Sequence, residues 1–192
     1  MFLDLVKKNR SYRRFHADER VEHKTLVGLV EAARYTPSAC NFQNIRYFLV
    51  EEKELCDKVF SSLRFAGYLK DWDGPEISER PSAYIVLMSA KPADTLLAID
   101  LGIAAQTILL AAASEGLGGC MFRGFDRKGL ASAVSVEGYS PELVIALGRP
   151  AERVEIVDIK NGDVKYYRDG ASTHFVPKRT LDELIISESC AD

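Results

Sequence analysis

The spacing of apolar residues predicts a chain in which amphipathic helices and short buried strands follow one another. Helical spacing covers residues 2–9, 23–35 and 52–63, and Pro37 ends the second of these helices. Runs rich in β-branched and aromatic residues predict strands over residues 47–51, 83–88, 120–122 and 142–147. Asp126 is placed to cap a further short helix that runs to Val134. Glycines and prolines in the segment 65–82 predict irregular structure there.

The most apolar segment, residues 95–115, predicts a long buried helix. Residues 101–113 are apolar nearly all round, and the glycines that follow at 116, 118 and 119 end the helix. Small side chains along it, at Gly102, Ala104, Ala105 and residues 111–113, allow another helix to approach closely. That neighbour can belong to a second subunit, and the alternative is a central core helix in a monomer.

Two local signals predict the C-terminal elements. Asn161-Gly162 is a strong signal for a tight turn and predicts a hairpin between residues 154–159 and 164–168. Thr180 and Glu183 have the spacing of a capping box, which predicts a last helix over residues 180–186.

Composition indicates one globular domain over residues 1–192, with 47% hydrophobic and 28% charged residues. The net charge of -3 argues against a nucleic-acid partner. Four scattered cysteines and three histidines show no zinc-site spacing, and they fit a reduced, cytoplasmic protein. The charged N-terminal segment is not typical of a signal peptide, and no run reaches the roughly 18 apolar residues of a membrane span. We therefore expect neither a metal nor a membrane partner.

Two polar clusters carry the candidate chemistry, and they lie about one helix apart. The first contains Arg10, Ser11, Tyr12 and Arg13, and its two guanidinium groups beside a hydroxyl suit a bound phosphate. The second is the segment 37–43, whose proline, serine and asparagine residues present turn backbone and amide groups to a neutral polar partner. One ligand with a phosphate at one end and a polar ring at the other would use both clusters. Flavin mononucleotide (FMN) is such a ligand.

In order and spacing, these clusters resemble the motifs of the flavin-dependent nitroreductase family. The resemblance runs from Arg10-Ser11-x-Arg13-x-Phe15 through residues 37–43 to the helix that begins with Asp100. It continues through residues 115–118 and Gly124-Phe125 to the basic pair Lys178-Arg179. It thus covers most of the chain.

The resemblance implies an α+β fold with a mixed central sheet flanked by helices, assembled as an intertwined homodimer with FMN at the interface. The long apolar helix would then form the core of the dimer, and the segment from Val154 onward could reach over the partner subunit. The positions that match the family's cofactor-binding motifs are Arg10, Ser11, Tyr12, Arg13, Pro37, Ser38, Ala39, Asn41, Gln43, Met121, Phe122, Arg123, Gly124, Lys178 and Arg179.

The activity that the resemblance implies is an FMN-dependent NAD(P)H oxidoreductase. NADH or NADPH would give hydride to flavin N5, and a small electron-poor acceptor such as a nitroaromatic or a quinone would then take the electrons in the same pocket, by a ping-pong scheme. No side chain need be catalytic, because the chemistry belongs to the cofactor. Alternatives on the same fold are an enone reductase, a dehalogenase and a flavin-binding sensor or storage module. The sequence leaves the physiological acceptor and the preferred donor open.

Four residues near these motifs have their own interpretations. The side chain of Arg123 could stabilise negative charge on a reduced flavin, or only its backbone could matter while the guanidinium lies in solvent. Arg14 is expected in solvent, His174 is expected to be a surface or interface histidine, and Cys40 is expected to be structural.

Overall fold

A four-stranded sheet lies at the centre of the computed structural model, which describes residues 1–65, 67–69, 72–169 and 173–187. Its strands are β1 (Arg46–Val50), β2 (Ala83–Ser89), β3 (Gly118–Phe122) and β4 (Ser140–Gly148). Their spatial order is β1-β2-β4-β3, and every neighbouring pair is antiparallel. Strands β2 and β4 are therefore the inner pair and are almost wholly buried.

Helices cover both faces of this sheet, because the alternating side chains of its inner strands feed two separate cores. From β2, Ile85 and Leu87 pack with α2 (His23–Arg34) and α4 (Thr95–Ser114). Tyr84 and Val86 of the same strand point the other way and pack with α3 (Lys53–Ser62) and α5 (Arg127–Ala133). This period-two alternation produces a layer of helices on each side of the sheet.

The N-terminal cluster is tied to the outer edge of β3. Ser11 forms a parallel bridge with Gly119, and the Tyr12 N–H donates to the Gly119 carbonyl at 3.0 Å. This isolated bridge is a parallel contact at the edge of an otherwise antiparallel sheet. The approach needs glycine, because a Cβ on Gly118 would lie 2.5 Å from Tyr12 Cδ2.

Helix α4 is the central helix, and its ends follow from local chemistry. The Asp94 carboxylate accepts a hydrogen bond from the Leu97 N–H at 2.8 Å, and Gly116 leaves the helix at a φ of 75°. By length and hydropathy alone, α4 could also cross a membrane, so the expectation that no segment reaches that threshold is wrong. Packing against α2, β3 and β4 accounts for the apolar residues on the buried side of this helix.

A second, smaller sheet follows β4 and corrects the predicted hairpin. Its strands are β5 (Val154–Asp158), β6 (Tyr167–Arg168) and β7 (His174–Lys178), in the order β5-β7-β6. The Asn161-Gly162 turn forms and is closed by an antiparallel bridge between Lys160 and Asp163. The two predicted arms do not pair with each other, because β7 lies between them and pairs with β5 over five residue positions. The longer ladder supplies more backbone hydrogen bonds than the tight turn alone.

The remaining helices are α1 (Phe2–Lys8) and α6 (Leu181–Leu184). The capping box predicted at the start of α6 is present, with the Thr180 N–H donating to Glu183 Oε2 at 2.9 Å. Outside the hairpin, the predicted helices and strands agree with the observed bounds to within two residues at each end.

Candidate functional site

A cavity of about 310 Å³ lies between the N-terminal cluster, α4, β3 and the second sheet. Three cations line it, Arg10, Arg13 and Lys178, and among the described residues no carboxylate does. We call it the cationic cavity. The rest of its lining is formed by Asn9, Ser11, Gln106, Leu109, Met121, Tyr166, His174 and Val176. In a chain of net charge -3, this concentration of positive charge indicates a site for an anion.

The Arg10 guanidinium does not use all of its hydrogen-bond donors within the described chain. Its Nη2 donates to the Val6 carbonyl at 2.9 Å, near the end of α1, and this bond fixes the guanidinium against the helix. Its Nε is buried and has no partner in the described part of the chain. Burial lowers the pKa of Arg10. An anion in the cavity would offset part of the cost of burying the Arg10 charge.

Arg13 is held from several sides. Its Nη1 lies 3.3 Å from His174 Nε2, and its guanidinium lies over the Tyr166 ring at 4.8 Å. Its backbone N–H donates to Glu152 Oε1. All three contacts come from the second sheet or from residues next to its strands, so the C-terminal part of the chain determines where this N-terminal arginine lies.

Glu152 joins three parts of the chain. Its side chain is fully buried, and it accepts hydrogen bonds from the backbone N–H groups of Arg13 and Arg14 and from Arg168 Nη2, the last at 2.8 Å. A buried carboxylate with this set of partners is compensated, because each bond involves the charged form. Arg168 in turn lies 4.2 Å from the centre of the Trp72 ring.

The expectations for His174 and Arg14 need correction. His174 is fully buried in this chain, because β7 is the middle strand of the second sheet. Burial, with Arg13 and Arg168 nearby, lowers the pKa of His174 to about 4, so its imidazole is neutral at pH 7. Arg14 is not in solvent either, since its side chain is 20% exposed and its Nε lies 3.3 Å from Glu79 Oε2.

The second polar cluster forms an irregular turn beside another cavity, of about 410 Å³, which we call the turn cavity. Pro37, Ser38 and Gln43 line it. Ser38 Oγ accepts a hydrogen bond from the Gln43 N–H at 3.1 Å. Three consecutive or near-consecutive residues have left-handed backbones, with φ of 48° at Cys40, 55° at Asn41 and 50° at Gln43. Such conformations in non-glycine residues cost energy and are found preferentially at functional sites.

Asp100 anchors this turn to α4. Its carboxylate is only 4% exposed and accepts a hydrogen bond from the Ala39 N–H at 2.9 Å. It also lines the turn cavity. The hydrogen bond to the turn thus explains why a charged residue lies inside the most apolar helix of the chain.

The two polar clusters do not meet within one chain. None of the described residues of segment 37–43 lines the cationic cavity, and neither Arg10 nor Arg13 lines the turn cavity. Neither cavity of the single chain therefore contains both clusters, and the expectation that one ligand contacts both stays a prediction.

The other predicted positions divide according to where their side chains point. Met121 lines the cationic cavity, whereas the next residue of the strand, Phe122, is buried in the opposite core against Phe65. Arg123 and Gly124 are exposed at the end of β3, where the Gly124 carbonyl accepts from the Arg64 N–H at 3.0 Å. Cys40 is exposed, and the expectation that it is structural stays a prediction.

Two further predicted residues, Tyr12 and Arg179, make contacts with residues close to them in the chain. The Tyr12 hydroxyl donates to the Lys8 carbonyl at 3.3 Å, and its ring lies over Gly118 rather than in the cationic cavity. Arg179 Nη1 lies 3.2 Å from Glu183 Oε1 on α6, whereas its neighbour Lys178 lines the cavity.

Sequence reasoning missed the residues behind Arg13, namely Glu152, Tyr166, Arg168 and His174. No local pattern marks them, because they lie 138 to 161 residues from their N-terminal partners in the chain. Only the pairing of the second sheet brings them to the cavity.

Comparisons with known proteins agree with this architecture. Residues 6–149 match the model of the nitroreductase family. A protein of Methanothermobacter thermautotrophicus, provisionally named NADH dehydrogenase/NAD(P)H nitroreductase, is 30% identical over 168 residues, covering 84% of this chain and 83% of its own length.

Solved structures share the fold. A Staphylococcus epidermidis protein, provisionally named NAD(P)H:FMN oxidoreductase, superposes with a TM-score of 0.66 at 19% identity, covering 87% of this chain and 95% of its own. A Bacteroides thetaiotaomicron protein, provisionally named NADH dehydrogenase/NAD(P)H nitroreductase, gives a TM-score of 0.64 at 22% identity, covering 97% and 96%. The predicted α+β, nitroreductase-like fold is confirmed.

Proposed function

Since this chain belongs to the nitroreductase family, we propose that it is an FMN-dependent NAD(P)H oxidoreductase that reduces small electron-poor acceptors such as nitroaromatics or quinones. The observation that carries the proposal is the cationic cavity, in which three cations and no carboxylate of the described chain face one space. The NAD(P)H names of relatives support a nicotinamide donor.

The residues of the cationic cavity fit a phosphate ester. Arg10 brings an unpartnered buried donor, and Arg13 and Lys178 add two more positive charges. A phosphate monoester carries up to two negative charges and several acceptor oxygens, so it matches a site with several donors and no acceptor carboxylate. Ser11 adds a hydroxyl at the same wall.

The same cavity also offers surface for a ring. Met121 and Leu109 are apolar lining residues beside these cations, and Met121, on the edge strand β3, is 40% exposed. When bound, FMN would supply the hydride-accepting and electron-donating chemistry, and the protein would place the ring and exclude competing reactions. The chain's own residues then bind and orient, and none is assigned as an acid or base.

A homodimer would bring the two polar clusters together. Along α4 a stripe at alternating spacings of three and four is left partly or largely exposed; its apolar members are Leu96, Ile99, Ile103, Leu110 and Ala113, and Gln106 is its one polar member. This spacing is the one by which two helices pack along a seam. Because Asp100 and Gln106 of the same helix border the two cavities, pairing across α4 would bring one chain's turn toward the other chain's cationic cavity.

The C-terminal segment supports the same assembly. Leu181, Leu184 and Ile186 are exposed by 60% or more, which is unusual for a cluster of large apolar side chains on a free surface. We infer that this segment packs on the partner subunit. A cytoplasmic location and the absence of nucleic-acid and membrane partners stay predictions.

The first experiment is a visible absorption spectrum of the purified protein supplied with FMN, before and after anaerobic NADH or NADPH. We expect flavin bands that bleach with a donor and return when a quinone or nitroaromatic is added. Bands that persist with both donors would instead support a flavin-binding module without turnover. A protein that takes up no FMN would overturn the proposal.

A further inference from the structure

The C-terminal sheet does more than cover the cationic cavity. The family match ends at residue 149, and the residues that contact Arg13 from the second sheet and its surroundings lie beyond it. They are Glu152, Tyr166 and His174. The part of the chain least described by the family thus surrounds one of its expected cofactor-binding arginines.

The contact between Arg13 and His174 has only one chemical sense. A guanidinium has donors and no acceptor, so at 3.3 Å Arg13 Nη1 is the donor and His174 Nε2 the acceptor. The imidazole must therefore be neutral and must carry its proton on Nδ1. That nitrogen is buried and has no partner in the described chain. Because an unpaired buried N–H is costly, the charge-assisted bond from Arg13 to Nε2 has to offset that cost in this tautomer.

The charges around the imidazole favour the neutral form. Arg13 and Arg168 both lie close enough to oppose a positive charge on His174, in addition to burial. Tyr166 packs on its ring at a centroid distance of 5.1 Å. Glu152 is the carboxylate of this region, and its two oxygens are engaged by Arg168 and by backbone N–H groups.

We propose that His174 is a positioning residue that accepts a hydrogen bond from Arg13 and so holds the Arg13 guanidinium in the cationic cavity. Glu152 fixes the backbone on which Arg13 stands, and Tyr166 covers the guanidinium from one side. The three residues preassemble the anion site before a ligand arrives. The inference rests on the proposed function, because the ligand group in question is the FMN phosphate or the polar edge of its ring.

The test is a double-mutant cycle read out by FMN affinity from quenching of flavin fluorescence. His174→Phe keeps an aromatic ring against Tyr166 but removes the acceptor, and we expect it to weaken FMN binding by about tenfold. His174→Gln places an amide oxygen near the former Nε2 and should bind within about threefold of wild type. In an Arg13→Ala background, His174→Phe should cause no further loss, because His174 acts through Arg13.

The outcomes separate this inference from the proposed function. An equal loss with and without Arg13 would show a merely structural role and overturn the inference, as would wild-type affinity in His174→Phe. Wild-type protein that binds no FMN would overturn the proposed function and the inference with it.

A measurement on the unaltered protein guards against a variant that fails to fold. A ¹⁵N–¹H correlation spectrum of the histidine rings at pH 7, assigned with His174→Gln, reports the tautomer directly. We expect His174 protonated on Nδ1 and bare on Nε2. A proton on Nε2 would contradict the proposal, because Arg13 could not then donate to it.

Discussion

The cationic cavity and the turn cavity are built in opposite ways. The first is assembled from residues far apart in the chain, and contacts behind its cations fix Arg13 to Glu152 and His174. The second is bordered by one short segment, residues 36–49, together with parts of α2 and α4. Its strained turn is held by short-range bonds and by Asp100.

This difference teaches which half of the site a single chain can complete. The cationic cavity has its charges, its apolar wall and its supporting contacts in one chain. In the turn, Asn41 and Gln43 are exposed in the single chain, although Gln43 also borders the turn cavity. The contrast is explained if a partner subunit supplies what the turn lacks, and the following changes test that explanation.

The largest effect should come from a charge on the exposed seam of α4. Ile99 is 55% exposed in the single chain. In a symmetric dimer, Ile99→Glu would place two carboxylates in an apolar interface, and each unpaired buried charge costs about 3–5 kcal/mol. We expect a monomer by sedimentation velocity, with FMN binding lost although Ile99 lines neither cavity.

The matched control is Ile77→Glu, since Ile77 is 73% exposed on a different part of the surface. It should leave both assembly and FMN binding unchanged. If the wild type were a monomer and still bound FMN tightly, one chain would be sufficient for binding. The turn cavity would then need nothing from a partner subunit, and the proposed difference between the two cavities would be wrong.

The next largest effect concerns the cations. Replacing Arg10 and Lys178 together by alanine should weaken FMN binding by about 1000-fold, because each charge-assisted hydrogen bond contributes about 1.5–3 kcal/mol. Riboflavin, which has no phosphate, should bind the wild type and the double variant with similar affinity. Isothermal titration with both ligands measures the comparison.

Arg179→Ala serves as the control for charge alone. Arg179 is the sequence neighbour of Lys178 but pairs with Glu183 outside the cavity. If its removal weakened FMN binding as much as removal of Lys178, the phosphate would be held by general positive charge and not by the cavity.

The third effect is a loss of stability in acid that belongs to the cationic cavity. The pKa of His174 is about 4 in the folded chain and about 6.5 when unfolded, so the unfolded state binds the extra proton first. The contribution is fully present above pH 6.5 and is lost as the pH falls to 4, by up to about 3 kcal/mol. Urea unfolding of the ligand-free protein across this range measures it.

Two variants isolate the histidine from the carboxylates that also titrate. His174→Gln should flatten this part of the pH dependence, whereas His16→Gln, at an exposed position, should leave it as in wild type. Parallel curves for wild type and His174→Gln would mean that His174 is not held neutral by its surroundings.

Much of the fold was predictable from the sequence because its signals are local. Apolar periodicity located α2, α3 and the inner strands, Asp126 capped α5, and Thr180 with Glu183 began α6. The Asn161-Gly162 turn was also located, but its pairing was not. Which strands pair depends on competition with β7, and a turn signal contains no information about a strand that comes later.

The candidate site was predictable in part for the same reason. Arg10, Arg13 and Lys178, which the motifs pointed to, line one cavity, but their supporting residues could not be found locally. His174 illustrates the limit: a histidine between polar residues resembles a surface residue until the second sheet buries it beside Arg13. Buried charge pairs between distant segments leave no periodic trace in the sequence.

The smallest effect tests how the turn is held. Asp100 anchors it through one hydrogen bond to the Ala39 N–H, so Asp100→Ala should cost about 2 kcal/mol of unfolding free energy by leaving that donor unpaired. Asp100→Asn keeps an oxygen acceptor and should cost less than half as much.

The cationic cavity does not depend on Asp100, so in the ligand-free protein the His174 tautomer should stay as in wild type. Equal destabilisation by Asp100→Ala and Asp100→Asn would indicate that the charge of Asp100, and not its acceptor, shapes the turn. A changed His174 tautomer would show that the two cavities are coupled within one chain.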